Sequence, residues 1–262
     1  MSKQVEDLVR NCQVSIEDRQ NKAEPLISSD LPERPWQIIC TDLFELKSKK
    51  YFVVVDYFSR YPEIALLNNT TSSDVITHMK SCFARHGIPE IVISDNGPQF
   101  KSADFIKFSS SYGFKHQTSS PRYPQANGEI ERSVKTVKSL LKKTQDPFIA
   151  LMAYHATPLE NGYSPAELLF GRKIQTTLPL ISDNLVPTWP YIVTVRDREE
   201  KIKKRQKNNF DTRRGVKVLQ HLEPQDKVWI PDRKESGTIK KKLDMPRSYI
   251  VETPTGTVRR NR

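Results

Sequence analysis

At 262 residues, with no apolar run approaching the roughly 18 residues of a membrane span, the sequence excludes an integral helical membrane protein and predicts one or two domains. Its 42 lysines and arginines outnumber 31 aspartates and glutamates, and the formal net charge of +11 favours a polyanionic partner, either nucleic acid or an anionic membrane surface. Because the N-terminus lacks the apolar core of a signal peptide and the three cysteines are widely spaced, we expect a soluble intracellular protein without disulfides.

The first part of the chain predicts a short helix followed by three strands. Residues 1–20 have the pattern of a polar helix, and a connector with proline and serine leads from there to Trp36. Three runs rich in valine, isoleucine and aromatic residues then follow one another, at 36–46, 50–59 and 62–67. The short turns between these runs predict an antiparallel meander.

The next region alternates helix and strand patterns. Apolar residues at helical spacing predict helices at 72–87 and 102–113, each of which leads into a short strand pattern. A longer helix is predicted over 127–143, with one apolar face made of Ile130, Val134, Val137, Leu140 and Leu141. A meander followed by alternating helices and strands predicts an α/β fold in which helices flank a mixed sheet.

The C-terminal third predicts further helices and then a small β module. Helical patterns occupy 147–158 and 164–171, and the run 196–217 predicts a charged helix with ten lysines and arginines against four acids. Short strand patterns separated by proline and glycine turns fill 225–262 and are typical of a small β-barrel, with Trp229 expected in its core. The chain ends on a charged strand pattern, so we expect this barrel to be truncated.

Two acids stand in or directly after predicted strands. Asp42 lies inside the first strand pattern, where a carboxylate costs several kcal/mol unless it is paired, hydrogen-bonded or bound to metal. Asp95 ends the buried run before Asn96 and Gly97, at a strand end where ligand sites are common but turn-forming aspartates are too. Each acid therefore has a functional and a structural interpretation. Asp56, in a neighbouring strand pattern, is expected to pair structurally with Arg60 or a lysine.

A third acid is expected from the helix that begins near Asn127. Glu131 lies at the edge of its apolar face with Lys135 and Lys138 behind it, whereas Glu129 lies on the other flank. A carboxylate in the first turn of a helix is favourable for the helix dipole alone, which is a sufficient explanation for Glu129. The pattern favours Glu131 as the functional acid without excluding Glu129.

Three short blocks of the sequence resemble the core of retroviral and retrotransposon integrases. They read TDLF at 41–44, SDNGPQF at 94–100 and YPQANGEIER at 123–132, and the similarity continues through YHATPLENGYSPAELLFGR. The pattern is most similar to the integrases of gypsy-like long-terminal-repeat retrotransposons. The family's acidic triad leaves 35 residues between its second and third members, as do Asp95 and Glu131 here but not Asp95 and Glu129.

The resemblance implies a fold and a chemistry. The fold is a ribonuclease H-like core with a mixed five-stranded sheet flanked by helices, followed by a helical basic linker and a small, truncated C-terminal β-barrel. The reaction is polynucleotidyl transfer, with 3′ processing by water and strand transfer by a DNA 3′-hydroxyl. Asp42, Asp95 and Glu131 would be both catalytic residues and ligands of two Mg²⁺ or Mn²⁺ ions, with Asp42 bridging them.

The resemblance also implies domains, partners and a location. Residues 1–33 would be a remnant of an N-terminal zinc module with its linker, 34–175 the catalytic core, 176–217 the basic linker and 218–262 the partial barrel. The partners would be DNA, as element ends and as target, and further copies of the chain in a homo-oligomer of dimer or higher order. A nuclear location is expected, with a cytoplasmic phase allowed, and no membrane partner.

Six residues are predicted DNA contacts. Basic side chains next to a candidate metal site favour contact with phosphate, although a solvated helix face has the same composition. The segment before the helix is a predicted loop near the DNA end, although simple turn chemistry accounts for it as well. The predicted contacts are Tyr123, Gln125, Asn127, Arg132, Lys135 and Lys138.

The sequence departs from the family pattern at the N-terminal zinc site. Full-length integrases of this kind have two histidines followed by a Cys-x-x-Cys pair, and here Cys12 is followed by Ser15 in the second cysteine position. Histidine first occurs at His78, so four zinc ligands cannot be assembled at this place in the chain and no structural zinc is expected.

Two rival hypotheses accompany the integrase prediction. The chain could be a domesticated integrase derivative that binds nucleic acid without turnover, which the departure at Ser15 favours. It could also hydrolyse RNA as ribonuclease H does, although the spacing of the acids and the block SPAELLFGR argue against that reaction.

Overall fold

The computed structural model describes residues 23–28, 30–118, 128–144, 146–219, 221–243 and 246–262. The chain forms two compact units, one made of the described residues between 28 and 206 and the other of residues 23–27 with those from 207 to 262. Within these ranges no helix is long and apolar enough to cross a membrane. The predicted helix over residues 1–20 lies outside the described residues.

The first unit is built on a five-stranded mixed sheet. Its strands are β1 (Ile38–Leu46), β2 (Lys49–Asp56), β3 (Pro62–Leu67), β4 (Ile91–Ser94) and β5 (Lys115–Thr118), in the spatial order β3-β2-β1-β4-β5. The first three strands pair antiparallel, and β4 and β5 are added parallel to β1. The predicted meander and mixed sheet are confirmed.

Helices connect and cover these strands. They are α1 (Ser72–His86), α2 (Pro98–Lys101), α3 (Ala103–Tyr112), α4 (Gly128–Lys143), α5 (Pro147–Ala156), α6 (Pro165–Phe170) and α7 (Ile192–Arg214), with a 3₁₀ turn at Ser182–Leu185. Local caps explain several boundaries, because the Thr71 and Ser102 side chains accept backbone N–H bonds at the starts of α1 and α3, and Gly113 ends α3 in the left-handed conformation. The short α2 was not predicted from the sequence.

The two faces of the sheet are covered by different elements. One face packs against α1 and α3 in an aromatic-rich cluster that includes Ile39, Val92 and Phe105. The other face packs against α4, whose predicted apolar stripe is confirmed by the burial of Val134, Val137 and Leu141 against a cluster of β1 and β2 side chains. Strand alternation therefore directs successive β1 side chains to one face or the other.

The second unit contains a four-stranded antiparallel sheet. Its strands are β6 (Lys227–Ile230), β7 (Glu235–Lys242), β8 (Ser248–Thr253) and β9 (Gly256–Asn261), paired in chain order. The prediction of a small C-terminal β module agrees with this sheet. Its core holds Ile230, Ile239, Tyr249 and Val251, whereas Trp229 is half-buried and outside that core, because adjacent strand residues face opposite ways.

The described cysteines do not form a disulfide. Cys40 and Cys82 are free and buried, and Cys12 lies outside the described residues.

The predicted domain limits after residues 33, 175 and 217 stay predictions. Helix α7, inside the predicted linker, is helical as expected, but Val195 near its start is buried with Phe58 and Leu168 of the first unit.

Asp56 ends β2 and organises the turn that leads to β3. Its side chain is fully buried and accepts hydrogen bonds from the Trp36 backbone N–H (2.9 Å), the Ser59 N–H (2.9 Å) and the Ser59 hydroxyl (2.6 Å). Burial raises the pKa of this carboxyl, and the donors that surround it lower the pKa in part. The predicted pairing with Arg60 or a lysine is wrong, because backbone and hydroxyl donors surround the carboxylate and Arg60 pairs with Glu199.

Asp56→Asn should destabilise the first unit by about 2 kcal/mol, because an amide cannot accept hydrogen bonds at both of its polar atoms and would place a donor against a buried donor. Chemical denaturation of the two proteins measures the difference. Ser59→Ala, which removes one donor and leaves the carboxylate, should cost less. Equal stability of wild type and Asp56→Asn would contradict the role of Asp56 as the centre of this turn.

Glu199 fastens the first half of α7 to the first unit. Its carboxylate is buried and lies 3.4 Å from the Arg60 guanidinium, and it accepts a hydrogen bond from the Asn161 amide at 2.8 Å. One residue earlier, Arg198 donates to the Asn161 carbonyl oxygen at 2.7 Å and lies over the Tyr163 ring. Glu199, although it belongs to a charged helix, therefore has a structural role.

Glu199→Ala should lower the free energy of unfolding by roughly 3 kcal/mol, because it removes the buried anion that balances the Arg60 guanidinium. The neighbouring Glu200 is exposed, so Glu200→Ala is the matched control and should change stability by no more than about 0.5 kcal/mol. Denaturation midpoints of the three proteins test this difference. A similar small effect from both variants would show that Glu199 does not fasten the helix.

Candidate active site

Asp42 lies on the sheet face that α4 covers. Its β1 neighbours Cys40 and Phe44, two residues away on either side, both pack in the cluster formed with α4, and strand alternation gives Asp42 the same face. The side chain is half-buried, and one carboxylate oxygen accepts the Leu43 backbone N–H at 2.8 Å. Burial, and then the charge of Asp42, raise the pKa of the Cys40 thiol well above its usual range.

Asp95 directly follows β4, the strand that pairs parallel with β1. The register of the two strands ends with Cys40 level with Ile93, and continuing it by two residues would bring Asp42 beside Asp95. Neighbouring strands are about 4.8 Å apart, so we expect the two carboxylates to lie near each other where β4 ends. That these two acids are neighbours stays a prediction from the sequence.

The turn after β4 holds the Asp95 carboxylate in place. Asp95 is exposed, and its Oδ1 atom accepts the Gly97 backbone N–H at 2.9 Å. A Cβ atom at Gly97 would lie 2.9 Å from this same oxygen and closer still to the Gln99 side chain. A side chain at position 97 would therefore displace the Gln99 side chain and crowd the Asp95 carboxylate.

The third predicted acid belongs to helix α4, which covers the same face of the sheet. Glu131 lies in the first turn of the helix, one turn before the buried Val134. The side chains of Glu131 and Glu129 lie outside the described residues. The choice of Glu131 over Glu129 therefore stays a prediction from the sequence.

Three of the six predicted DNA contacts belong to the described part of α4. Arg132 and Lys135 are exposed, and the Arg132 guanidinium donates to the Gln206 side chain at 3.3 Å. The Lys138 ammonium lies 5.0 Å from the centre of the Phe44 ring, so this lysine also packs on the sheet as a cation over an aromatic face. Tyr123, Gln125 and Asn127 lie outside the described residues.

The donor set suits a hard divalent cation. Asp42 and Asp95 supply carboxylate oxygens, the ligands that Mg²⁺ and Mn²⁺ prefer, from adjacent strands. Within the ranges that the structure describes, no group of three or more histidine, cysteine, aspartate or glutamate side chains is arranged for metal binding, and these ranges do not include the Glu131 side chain. Asp42 and Asp95 thus form the described part of the candidate site.

Sequence reasoning missed His116, which lies directly behind Asp95. Its Nε2 atom is 2.9 Å from the Ser94 hydroxyl oxygen, and Ser94 immediately precedes Asp95. The His116 ring is half-buried, and this burial lowers its pKa. A single histidine in a short strand pattern carries no signal of this contact, since it depends on the pairing of β4 with β5.

Comparisons with known proteins agree with this geometry. Residues 32–124 match the family model described as integrase core domain. An uncharacterised protein of Caenorhabditis elegans, K02A2.6, is 33% identical over 232 residues, covering 82% of this chain and 17% of that protein. The Gag-Pol polyprotein of walleye dermal sarcoma virus is 29% identical over 206 residues, covering 72% of this chain and 11% of the polyprotein.

The fold also has a counterpart among solved structures. The simian T-cell lymphotropic virus intasome, solved in complex with the PP2A regulatory subunit B56 gamma, contains a chain with a TM-score of 0.66 at 18% identity, covering all of this chain and 88% of that one. The present chain spans less than a fifth of the length of the two curated relatives named above. The family match over residues 32–124 and the order of the five-stranded sheet together support a retroviral-type integrase core domain in this part of the chain.

Proposed function

We propose that this chain is a retrotransposon-type integrase, of the gypsy-like class, that binds DNA and catalyses divalent-metal-dependent polynucleotidyl transfer. The observation that supports the proposal is the parallel pairing of β1 with β4, since continuing its register by two residues would bring Asp42 beside Asp95. Helix α4, with Glu131 in its first turn, covers the same face. Three carboxylates from these three elements are the donor set that the reaction requires.

The proposed roles follow from the chemistry of each residue. Asp42, Asp95 and Glu131 would hold Mg²⁺ or Mn²⁺, which when bound lowers the cost of developing charge on the attacking and leaving oxygens. Gly97 keeps the Asp95 carboxylate in place through its backbone N–H. In strand transfer, a DNA 3′-oxygen forms a bond to a target phosphorus while the bond from that phosphorus to its own 3′-oxygen breaks. In 3′ processing, water is the attacking group.

Exposed basic residues give the chain its affinity for DNA. Arg132 and Lys135 are exposed one and four positions after Glu131, where cations contact backbone phosphates in the bound duplex. Element ends and target DNA are the proposed substrates, and the proposed location is the nucleus. Since the viral counterpart of this fold comes from an intasome, we further propose that the chain acts as a homo-oligomer of dimer or higher order.

Asp42→Asn and Asp95→Asn should each reduce strand transfer on a short DNA duplex by about 100-fold or more, since a metal-held charge contributes several kcal/mol to the transition state. Both variants should keep the wild-type circular dichroism spectrum. The exposed Asp197 on α7 provides the control, and Asp197→Asn should remain active. Product formed equally by wild type and Asp95→Asn would remove the proposed function.

The same assay separates this proposal from its rivals. Salt-sensitive DNA binding without metal-dependent nicking or joining at any tested Mg²⁺ or Mn²⁺ concentration would support the domesticated, silent DNA-binding protein instead. Cleavage of an RNA–DNA hybrid in preference to duplex DNA ends would support ribonuclease H-type hydrolysis.

Glu131→Gln and Glu129→Gln compare two acids of the same helical turn. Glu131→Gln should abolish strand transfer, because it removes a proposed metal ligand, whereas Glu129→Gln should retain most of it, because that carboxylate only favours the helix start. Transfer yields at saturating Mn²⁺ measure both. Similar losses from the two variants would undo the assignment of Glu131.

A further inference from the structure

The Ser94 hydroxyl lies between His116 and the backbone of Asp95. Ser94 Oγ is 2.8 Å from the Asp95 carbonyl oxygen and 2.9 Å from His116 Nε2. Ser94 is 1% exposed, so solvent does not compete for these bonds. The contact brings a side chain of the outermost strand, β5, to the residue that carries a proposed metal ligand.

The direction of these two hydrogen bonds follows from the donors available. The Asp95 carbonyl oxygen accepts, so it receives the one hydroxyl hydrogen of Ser94. The Ser94 oxygen must then accept from His116, which places a hydrogen on Nε2. The result is a directed chain from His116 through Ser94 to Asp95.

The backbone of Asp95 lies just beyond the sheet. The last pair of the β4–β5 ladder joins Ser94 to Thr118, so the Asp95 carbonyl follows directly after the paired residues. The Ser94 hydroxyl supplies a hydrogen-bond donor to this carbonyl. The Asp95 side chain is fixed separately by Gly97.

The His116 ring is itself held by aromatic packing. Its centre lies 4.8 Å from that of Phe105 in an edge-to-face contact and 6.4 Å from that of Phe100, and both phenylalanines are fully buried. This packing therefore fixes the position of the His116 ring beside Ser94. A surface histidine with a chance contact would not have this support.

We infer that His116 is a positioning residue for the metal site, acting through Ser94 to orient the backbone, and hence the carboxylate, of Asp95. This inference rests on the proposed function, because it assumes that Asp95 holds the divalent ion. The contacts described for His116 are to Ser94, Phe100 and Phe105, so its proposed role is positioning and not metal ligation. Its effect is to preorganise a proposed metal ligand that lies directly after the last paired residue of a strand. At that point the hydrogen bonds of the ladder no longer hold the backbone.

Binding of Mn²⁺ alone to the full chain, measured by electron paramagnetic resonance without DNA, tests the inference. Asp95→Asn should abolish the binding and thereby identify the site. His116→Phe keeps an aromatic ring against Phe105 but removes the donor, and it should weaken Mn²⁺ binding about fivefold, as expected for one buried hydrogen bond. His116→Gln keeps a donor and should bind Mn²⁺ nearly as wild type does.

A double-variant comparison separates positioning from general packing. Ser94→Ala should weaken Mn²⁺ binding to the same extent as His116→Phe, and the two changes together should add no further loss, because they interrupt one chain of hydrogen bonds. If His116→Phe fails to fold, Ser94→Ala alone decides the question. Thermal melting is recorded for each variant, since a purely structural role would lower the melting temperature and leave Mn²⁺ affinity unchanged.

The outcomes distinguish this inference from the proposed function. Wild-type Mn²⁺ affinity in folded His116→Phe or Ser94→Ala would overturn the positioning role, even if the wild-type chain joins DNA. Conversely, the expected Mn²⁺ pattern in a chain that joins no DNA in the parallel transfer assay would support the positioning role and reject the proposed function.

Discussion

The parallel pairing of β1 with β4 is the constraint on which the candidate site depends. Antiparallel neighbours are joined by short turns, but parallel neighbours need a crossover, which here is α1. The crossover brings residues more than 50 positions apart into register, and continuing this register by two residues would bring Asp42 beside Asp95. A one-residue slip in this register would move one carboxylate to the opposite face of the sheet. Burial of Ile39 and Val92 on the other face opposes such a slip.

Acids on neighbouring strands of this sheet have opposite environments. Asp56 is fully buried at the end of β2 and surrounded by donors from Trp36 and Ser59. Asp42, in the middle of β1, is half-buried and faces the side covered by α4. Full burial with several donors makes Asp56 a structural centre, whereas partial access to solvent leaves Asp42 suited to an ion and its retained water. The environment, more than the residue type, separates the structural acid Asp56 from Asp42, the acid for which we propose a function.

Much of the fold was predictable from local patterns, but several long-range contacts were not. Short turns predicted the meander, and helical periodicity predicted the buried stripe of α4, because both signals lie within a few residues of one another. The expected pairing of Asp56 with Arg60 was wrong because the true partners include Trp36, which is 20 residues distant. The burial of Glu199 was likewise not predictable from the charged run that contains it, since its partners Arg60 and Asn161 lie far away in the sequence.

The candidate site likewise has one part that was predictable from the sequence and one part that was not. The spacing from Asp95 to Glu131 and the resemblance around Asp42 predicted the acids, whereas the support from His116 depends on a register that no spacing encodes. The aromatic cluster that holds His116 lies on one face of the sheet, and strand alternation places Asp42 on the other. An acid can therefore be lost without loss of the aromatic cluster. This separation gives a physical route by which an integrase core could lose its reaction and keep its fold and its basic surface.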